Sequence, residues 1–265
     1  MVGQKKRKTA AFIERHPVCC FCGQADAETI DHVPNRACFV GREYPEEFEF
    51  PACNSCNSAT READHVFGFY VRCLDQDGST YRQDEFQRLI SGMRNNYPEA
   101  LPNADLTANQ VRRGLRHRGD VLPQGMLLSD VPLVGVPTSF DGYASTSAAK
   151  LTRALYYREM GVIAPASHFV MTRWFDFASP KAPEAIAAFA AIFPRLTVGR
   201  RTNTDIGLQF LYRWDQGADG EVFGFIAQFS RAILILGVAA SPTASDIGKM
   251  GASDAWRIDP RSGIA

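Results

Sequence analysis

All seven cysteines of this 265-residue chain lie in its first 73 residues, and four of them form two C-x-x-C pairs. Cys19 pairs with Cys22 and Cys53 pairs with Cys56, with residues 23–52 between the pairs. Two thiolates on one tight turn converge on one side of a tetrahedral ion, so two matched pairs predict a closed structural zinc site. Cys20 could replace Cys19, but it breaks the two-residue spacing. The cysteines therefore mark off a small N-terminal region held together by zinc.

The overall composition is that of an ordinary globular protein, with 45% hydrophobic and 22% charged residues. The chain has no run of 18 apolar residues, so we expect no membrane span. Its basic start lacks the apolar stretch of a secretory signal, so we expect a cytoplasmic protein. The 29 basic and 29 acidic side chains balance. This balance argues against a protein that coats nucleic acid by charge alone, although it leaves room for local basic strips.

The pattern of apolar residues predicts an α+β protein. We expect a zinc-holding module over residues 11–75, a helical segment over 76–130 and a C-terminal α+β domain over 140–245 with an antiparallel sheet. Residues 246–265 are expected to form a flexible tail. The region 11–60 is turn-rich, and a helix is predicted from about Ser58 to Leu74 because apolar residues recur there at helical spacing. The proline- and glycine-rich stretch 121–142 is typical of a connector.

One short stretch between the cysteine pairs suggests chemistry. Asp31 and His32 are adjacent, Pro34 follows, and Asn57 comes directly after the last cysteine of the second pair. The order C-x-x-C, D-H-x-P, C-x-x-C-N resembles that of the HNH endonucleases, in particular their zinc-containing members. The resemblance covers about residues 19–64, and the order of the motifs is more specific than any one of them.

The resemblance implies a ββα-metal fold with zinc on the four cysteines and a second divalent ion, magnesium or manganese, at the active centre. By this resemblance His32 is the general base, while Asp31 and Asn57 hold the catalytic ion. The residue types suit that chemistry. A histidine near its ordinary pKa accepts a proton from water at neutral pH, and hard oxygen ligands suit magnesium beside a scissile phosphate.

The chain departs from the HNH pattern in two places. Many HNH sites carry a further histidine one helical turn after the asparagine, and here that position is Arg61. Glu62 or Asp64 could supply another ligand, and Arg61 could instead contact phosphate. The middle asparagine of the motif has no clear match. A degenerate, inactive module therefore stays open as an alternative.

The expected partner is nucleic acid, with DNA preferred over RNA. Arg61 and the basic stretch "VRRGLRHR", with Arg112, Arg113 and Arg116, are the predicted contacts to the phosphate backbone. The C-terminal sheet could recognise a nucleic acid or a regulatory ligand, or it could mediate formation of a homodimer. The alternative to the nuclease is a non-catalytic zinc-binding module that binds nucleic acid or a protein partner.

Overall fold

The computed structural model describes residues 4–42, 44–75, 82–122, 124–131, 133–199, 206–217, 220–244 and 257–258. Within these residues helix and sheet are mixed, as the α+β prediction requires. The α-helices are α1 (Gln4–Arg15), α2 (Asn54–Ala59), α3 (Arg61–Cys73), α4 (Gln83–Asn96), α5 (Ala108–Arg118), α6 (Phe140–Met160) and α7 (Ala182–Ile192). Short 3-10 helices cover Arg36–Cys38, Val40–Arg42, Pro98–Ala100 and Leu128–Asp130.

The strands form two antiparallel sheets. The small sheet contains β1 (Thr29–His32) and β2 (Glu49–Ala52). The large sheet has the strand order β4-β5-β6-β7-β3-β8, with the following bounds: β3 (Phe169–Asp176), β4 (Thr197–Val198), β5 (Leu211–Gln216), β6 (Val222–Phe229), β7 (Ile233–Ala240) and β8 (Arg257–Ile258).

The small sheet is followed directly by helices. In its register Thr29 lies opposite Ala52 and His32 lies opposite Glu49, and α2 begins two residues after β2 ends. The helix predicted from about Ser58 falls on two helices, because Thr60 interrupts the helical structure between α2 and α3. Thr60 still turns its hydroxyl back to the carbonyl oxygen of Cys56 at 3.5 Å. The second helix, α3, carries the predicted apolar face.

The large sheet is covered on both faces. Alternate residues of β7, such as Ile233 and Ile235, belong to the main core, which α6 completes. The residues between them, Leu234 and Leu236, belong to a second core with Phe189 of α7. Every residue of β7 is buried, which explains why this strand is a continuous apolar run rather than an alternating one.

Helix α6 joins the large sheet to the N-terminal region. It packs against α3 on one side and against β3 and β7 on the other. One main core therefore includes Phe50 of the small sheet, Phe69 of α3, Leu155 of α6 and Phe225 of the large sheet. The region that carries the cysteines thus rests on the same apolar core as the C-terminal sheet.

Two helices differ from the sequence expectation. Helix α1 runs to Arg15, inside a stretch that we expected to be turn-rich. Helix α6 begins at Phe140, inside the expected connector, because Phe140 and Ala144 are fully buried and draw this turn into the core. Of the expected flexible tail over 246–265, only residues 257–258 lie within the described part of the chain.

Candidate active site and zinc centre

The two cysteine pairs meet at one point. The sulfur atoms of the four residues lie within 4.8 Å of one another, and we call them the four-cysteine cluster: Cys19, Cys22, Cys53 and Cys56. Four sulfur donors on two tight turns are the donor set of a tetrahedral structural zinc site. The prediction that these residues can hold zinc therefore agrees with the geometry of the chain.

Local backbone geometry brings each pair into place. The first pair lies on a turn closed by hydrogen bonds from the Cys19 amide to the Ala25 carbonyl and from the Gly23 amide to the Cys19 carbonyl, both 2.9 Å. Gly23 has a φ of +68°, a conformation that other residues rarely adopt, so the turn requires glycine there. The second pair begins α2, where the Cys53 sulfur accepts the Cys56 amide at 3.4 Å.

The thiols are close enough to change each other's acidity. The Cys56 thiol lowers the pKa of Cys19 to about 4, while the same contact raises the pKa of Cys56. This contact favours a thiolate at Cys19, whereas the pKa of Cys53 is raised, chiefly by burial. Thiolate is the form that binds zinc.

Further contacts fasten the turns to the small sheet. The Cys20 amide donates to the Pro51 carbonyl at 2.9 Å. The Asn54 amide and side chain both donate to Glu28 at 2.9 Å. Asn57 donates from its side-chain nitrogen to the Thr29 hydroxyl at 2.9 Å. The cluster, β1, β2 and α2 therefore form one unit.

Asp31 lies on one face of β1 and is only 8% exposed. Its Oδ1 accepts the backbone amide of His32 at 2.8 Å. Its Oδ2 lies 2.7 Å from the ammonium nitrogen of Lys150, which comes from α6. The same nitrogen lies 2.5 Å from Oδ2 of Asp64 on α3. We call Asp31, Asp64 and Lys150 the buried triad.

The acidities of the triad reflect its burial. Burial raises the pKa of Asp64, although Lys150 opposes that effect. Burial would lower the pKa of Lys150, but Asp64 and Asp31 outweigh it, so the pKa of Lys150 is raised. A buried ammonium therefore stays charged between two carboxyl groups.

This arrangement bears on the second metal ion that the HNH resemblance implies. Carboxylate oxygens are suitable ligands for magnesium or manganese. As the triad stands, however, the ammonium of Lys150 occupies the cation position beside Asp31. The residues in this arrangement do not fit a divalent ion at Asp31 unless Lys150 moves away.

His32 points to the opposite side of β1, because successive side chains of a strand alternate. Arg36 Nη2 lies 2.7 Å from His32 Nε2 and also donates to the Tyr44 hydroxyl at 2.8 Å. The Tyr44 hydroxyl in turn donates to Glu49 at 2.9 Å, and Glu49 lies 3.4 Å from His32 Nε2. Burial, with Arg36 next in weight, lowers the pKa of His32. The imidazole is therefore neutral at pH 7.

The predicted phosphate contacts lie elsewhere. Arg61 is exposed at the start of α3. On α5, Arg112, Arg113 and Arg116 are exposed, and the hydrogen bonds described for Arg112 and Arg116 stay within that helix, at 3.3 and 3.4 Å. Thr107 begins α5 with a reciprocal capping box, which fixes the start of the basic helix.

An open cleft of about 1020 Å³ lies beside α5. Arg113, His117 and Arg118 line it from the helix, and the acidic residues Asp75 and Asp120 also line it. Because both signs of charge are present, the cleft itself does not favour one charge of ligand.

The sequence predicts that Asp31, His32 and Asn57 lie in one small unit, but it does not predict the side chains that contact Asp31 and His32. Lys150 is one of these, although a lysine inside the buried run Ser147–Tyr156 is unusual enough to be a signal. Arg36 and Glu49 are missed because nothing in their local sequence distinguishes them from surface charges.

No helix among the described residues is long and apolar enough to cross a membrane. Comparison of the chain with models of protein families, with curated proteins and with solved structures finds no match. The interpretation of the site therefore depends on its own residues.

Proposed function

We propose that this protein is an endonuclease of the HNH type that hydrolyses phosphodiester bonds in DNA. One observation supports this proposal most strongly: the Asp31-His32 pair lies on the first strand of an antiparallel two-stranded sheet, and the helix that follows this sheet begins at the second cysteine pair. Strand, strand and helix in this order, beside cysteines that could hold zinc, support the proposal because the HNH resemblance implies the same order. A region this small has little apolar core of its own, so a metal staple is physically reasonable.

His32 is suited to the role of general base. Its lowered pKa keeps the imidazole neutral at pH 7, and only the neutral form accepts a proton from water. Arg36 lies at the same nitrogen, 2.7 Å away. A phosphate attracted by this guanidinium would lie beside the base, and its arrival would release the imidazole lone pair for the attacking water.

A divalent ion, Mg²⁺ or Mn²⁺, belongs to this proposal as the Lewis acid for the phosphate. Asp31 and Asn57 would hold it. Asn57 contacts β1 through its side-chain nitrogen, which donates to Thr29, so this hydrogen bond does not use its amide oxygen. Because Asp31 is paired with Lys150 and lies on the opposite side of β1 from His32, this proposal requires the triad to open and both side chains to reach one phosphate.

The test is plasmid nicking by the zinc-loaded protein with magnesium or manganese. We expect cleavage that is abolished by EDTA and reduced by at least about 100-fold in His32→Ala, the range usual for loss of a general base. His168→Gln is the matched control, since His168 immediately precedes β3, outside the site. Equal cleavage by His32→Ala and the wild type would refute the assignment of the base.

The second candidate is a non-catalytic zinc-binding module that binds nucleic acid or a protein partner. The pairing of Asp31 with Lys150 favours it, because a carboxylate neutralised by a buried ammonium offers no free ligand. This candidate predicts DNA binding without cleavage under any metal. The nicking assay and a gel-shift assay on the same preparation distinguish the two.

A further inference from the structure

We propose that Lys150 is an intramolecular competitor for a divalent cation at Asp31 and Asp64. The inference rests on the proposed function, because Asp31 is also a metal ligand in the proposed nuclease and Asp64 would be a further ligand of the same ion. It assigns a role to a residue outside the zinc region, by which we mean the four-cysteine cluster with β1, β2 and α2.

The ammonium of Lys150 occupies the position that a bridging metal ion would need. Its nitrogen lies 2.7 Å from Oδ2 of Asp31 and 2.5 Å from Oδ2 of Asp64. Two carboxylate oxygens that converge on one nitrogen at these distances need only a small movement to bridge an ion, since manganese and magnesium lie about 2.1 Å from such ligands. Nitrogen and metal ion cannot share this space.

Burial makes the ammonium essential to the two carboxylates. Lys150 is 2% exposed, and Asp31 is 8% exposed. Apart from this ammonium at 2.7 Å, Oδ2 of Asp31 has no hydrogen-bond partner among the described residues. Without Lys150, two buried carboxylates would face each other with no compensating charge, which is strongly unfavourable. A divalent cation is the natural replacement, since its charge of two balances both carboxylates.

The position of Lys150 in the fold links the site to the C-terminal half. The lysine comes from α6, which packs against β3 and β7 of the large sheet, while Asp31 and Asp64 belong to β1 and α3. Its nitrogen also lies 5.8 Å from the centre of the Phe21 ring on the cysteine turn. The ammonium between the two carboxylates is therefore supplied by the helix that packs on the large sheet.

The experiment measures Mn²⁺ binding to the full-length, zinc-loaded chain by the electron paramagnetic resonance signal of free Mn²⁺. Manganese is suitable because it prefers oxygen ligands and does not displace zinc from thiolates. We compare the wild type with Asp31→Asn, Lys150→Met, Lys150→Gln and the double variant that combines Lys150→Met with Asp31→Asn. Lys150→Arg is the matched control, because it keeps a positive charge at this position.

We expect Lys150→Met and Lys150→Gln to bind one Mn²⁺ at least about tenfold more tightly than the wild type, since a contacting positive charge has been removed. The double variant should lose the added site, and Lys150→Arg should bind as weakly as the wild type. Equal affinity in wild type and both neutral variants would overturn the inference. So would tight binding by the wild type that Asp31→Asn abolishes, a result that needs no folded Lys150 variant.

The outcome is separable from that of the nuclease proposal. A new Mn²⁺ site in Lys150→Met, with no DNA cleavage by any variant, would leave the inference standing and refute the nuclease. Cleavage by the wild type, with unchanged Mn²⁺ affinity in the neutral variants, would support the nuclease and refute this inference.

Discussion

The zinc region and the large sheet are held together by different kinds of interaction. Strands β1 and β2 have four residues each, and the structure around them depends on the four-cysteine cluster and on buried polar contacts such as the triad. The large sheet has six strands with apolar cores on both faces. Asp31, His32, Asn57 and the four cysteines all lie in the first of these regions, where cysteine and polar side-chain contacts predominate. This difference suggests that the zinc region can be disturbed separately, although both regions share one core.

Removal of zinc should have the largest effect and should be confined to one region. Structural zinc contributes on the order of 10 kcal/mol to the folding of small modules, so a strong chelator or Cys53→Ser should unfold the cysteine turns, β1 and α2. Hydrogen exchange read by mass spectrometry should show reduced protection there, while β6 and β7 stay protected. Cys73→Ser, outside the cluster, is the control. Uniform loss of protection along the chain would mean that the two regions are not separable.

Phe225→Ala should have the opposite effect: it should destabilise the large sheet and leave zinc binding unchanged. Phe225 lies in the middle of β6, is fully buried and belongs to the main core, so its truncation should lower the free energy of unfolding by about 3–5 kcal/mol. The zinc content should stay at one ion per chain. Leu208→Ala, at a side chain that is 66% exposed, should change stability by less than about 0.5 kcal/mol. Loss of zinc in Phe225→Ala would show that the cluster depends on the sheet.

A smaller effect is expected at His32. Burial and then Arg36 lower its pKa, while Glu49 opposes them, so Arg36→Gln should raise the pKa of His32. Because the folded-state pKa lies below the ordinary value of about 6.5, the histidine contributes stability that is present above that pH. This stability is lost as the pH falls through the folded-state pKa. Arg36→Gln should therefore lose less of its free energy of unfolding than the wild type when the pH is lowered. A two-dimensional NMR titration of the imidazole, with His117 as the exposed reference, measures the shift directly, and an unchanged pKa would contradict it.

The difference between the regions also explains what can be predicted from sequence. The four-cysteine cluster follows from spacing alone, since each C-x-x-C pair is local. Strand β7 is recognisable as "RAILILGVA" because burial on both faces leaves an apolar run. The triad is not predictable, because Asp31, Asp64 and Lys150 come from three separate elements and only the packing of α6 against α3 brings them together. Glu62 or Asp64 is a candidate for a further ligand because the chain lacks the second histidine of the HNH pattern, but nothing in the local sequence of Asp64 indicates the lysine that it contacts.

The smallest and most distributed effect concerns α5. Arg112, Arg113 and Arg116 are exposed on one helix, and if they contact the DNA backbone, each arginine neutralises one phosphate and releases counterions. Reversal of each charge to glutamate should therefore weaken DNA binding to all sequences alike. It should also reduce the slope of log affinity against log salt by about 0.9 for each phosphate that is no longer neutralised. Arg88→Glu on α4, where Arg88 pairs with Asp84 at 3.2 Å, is the control for charge alone. An unchanged salt slope in the α5 variants would remove this helix from the interface and leave Arg36 and Arg61 as the phosphate contacts to test next.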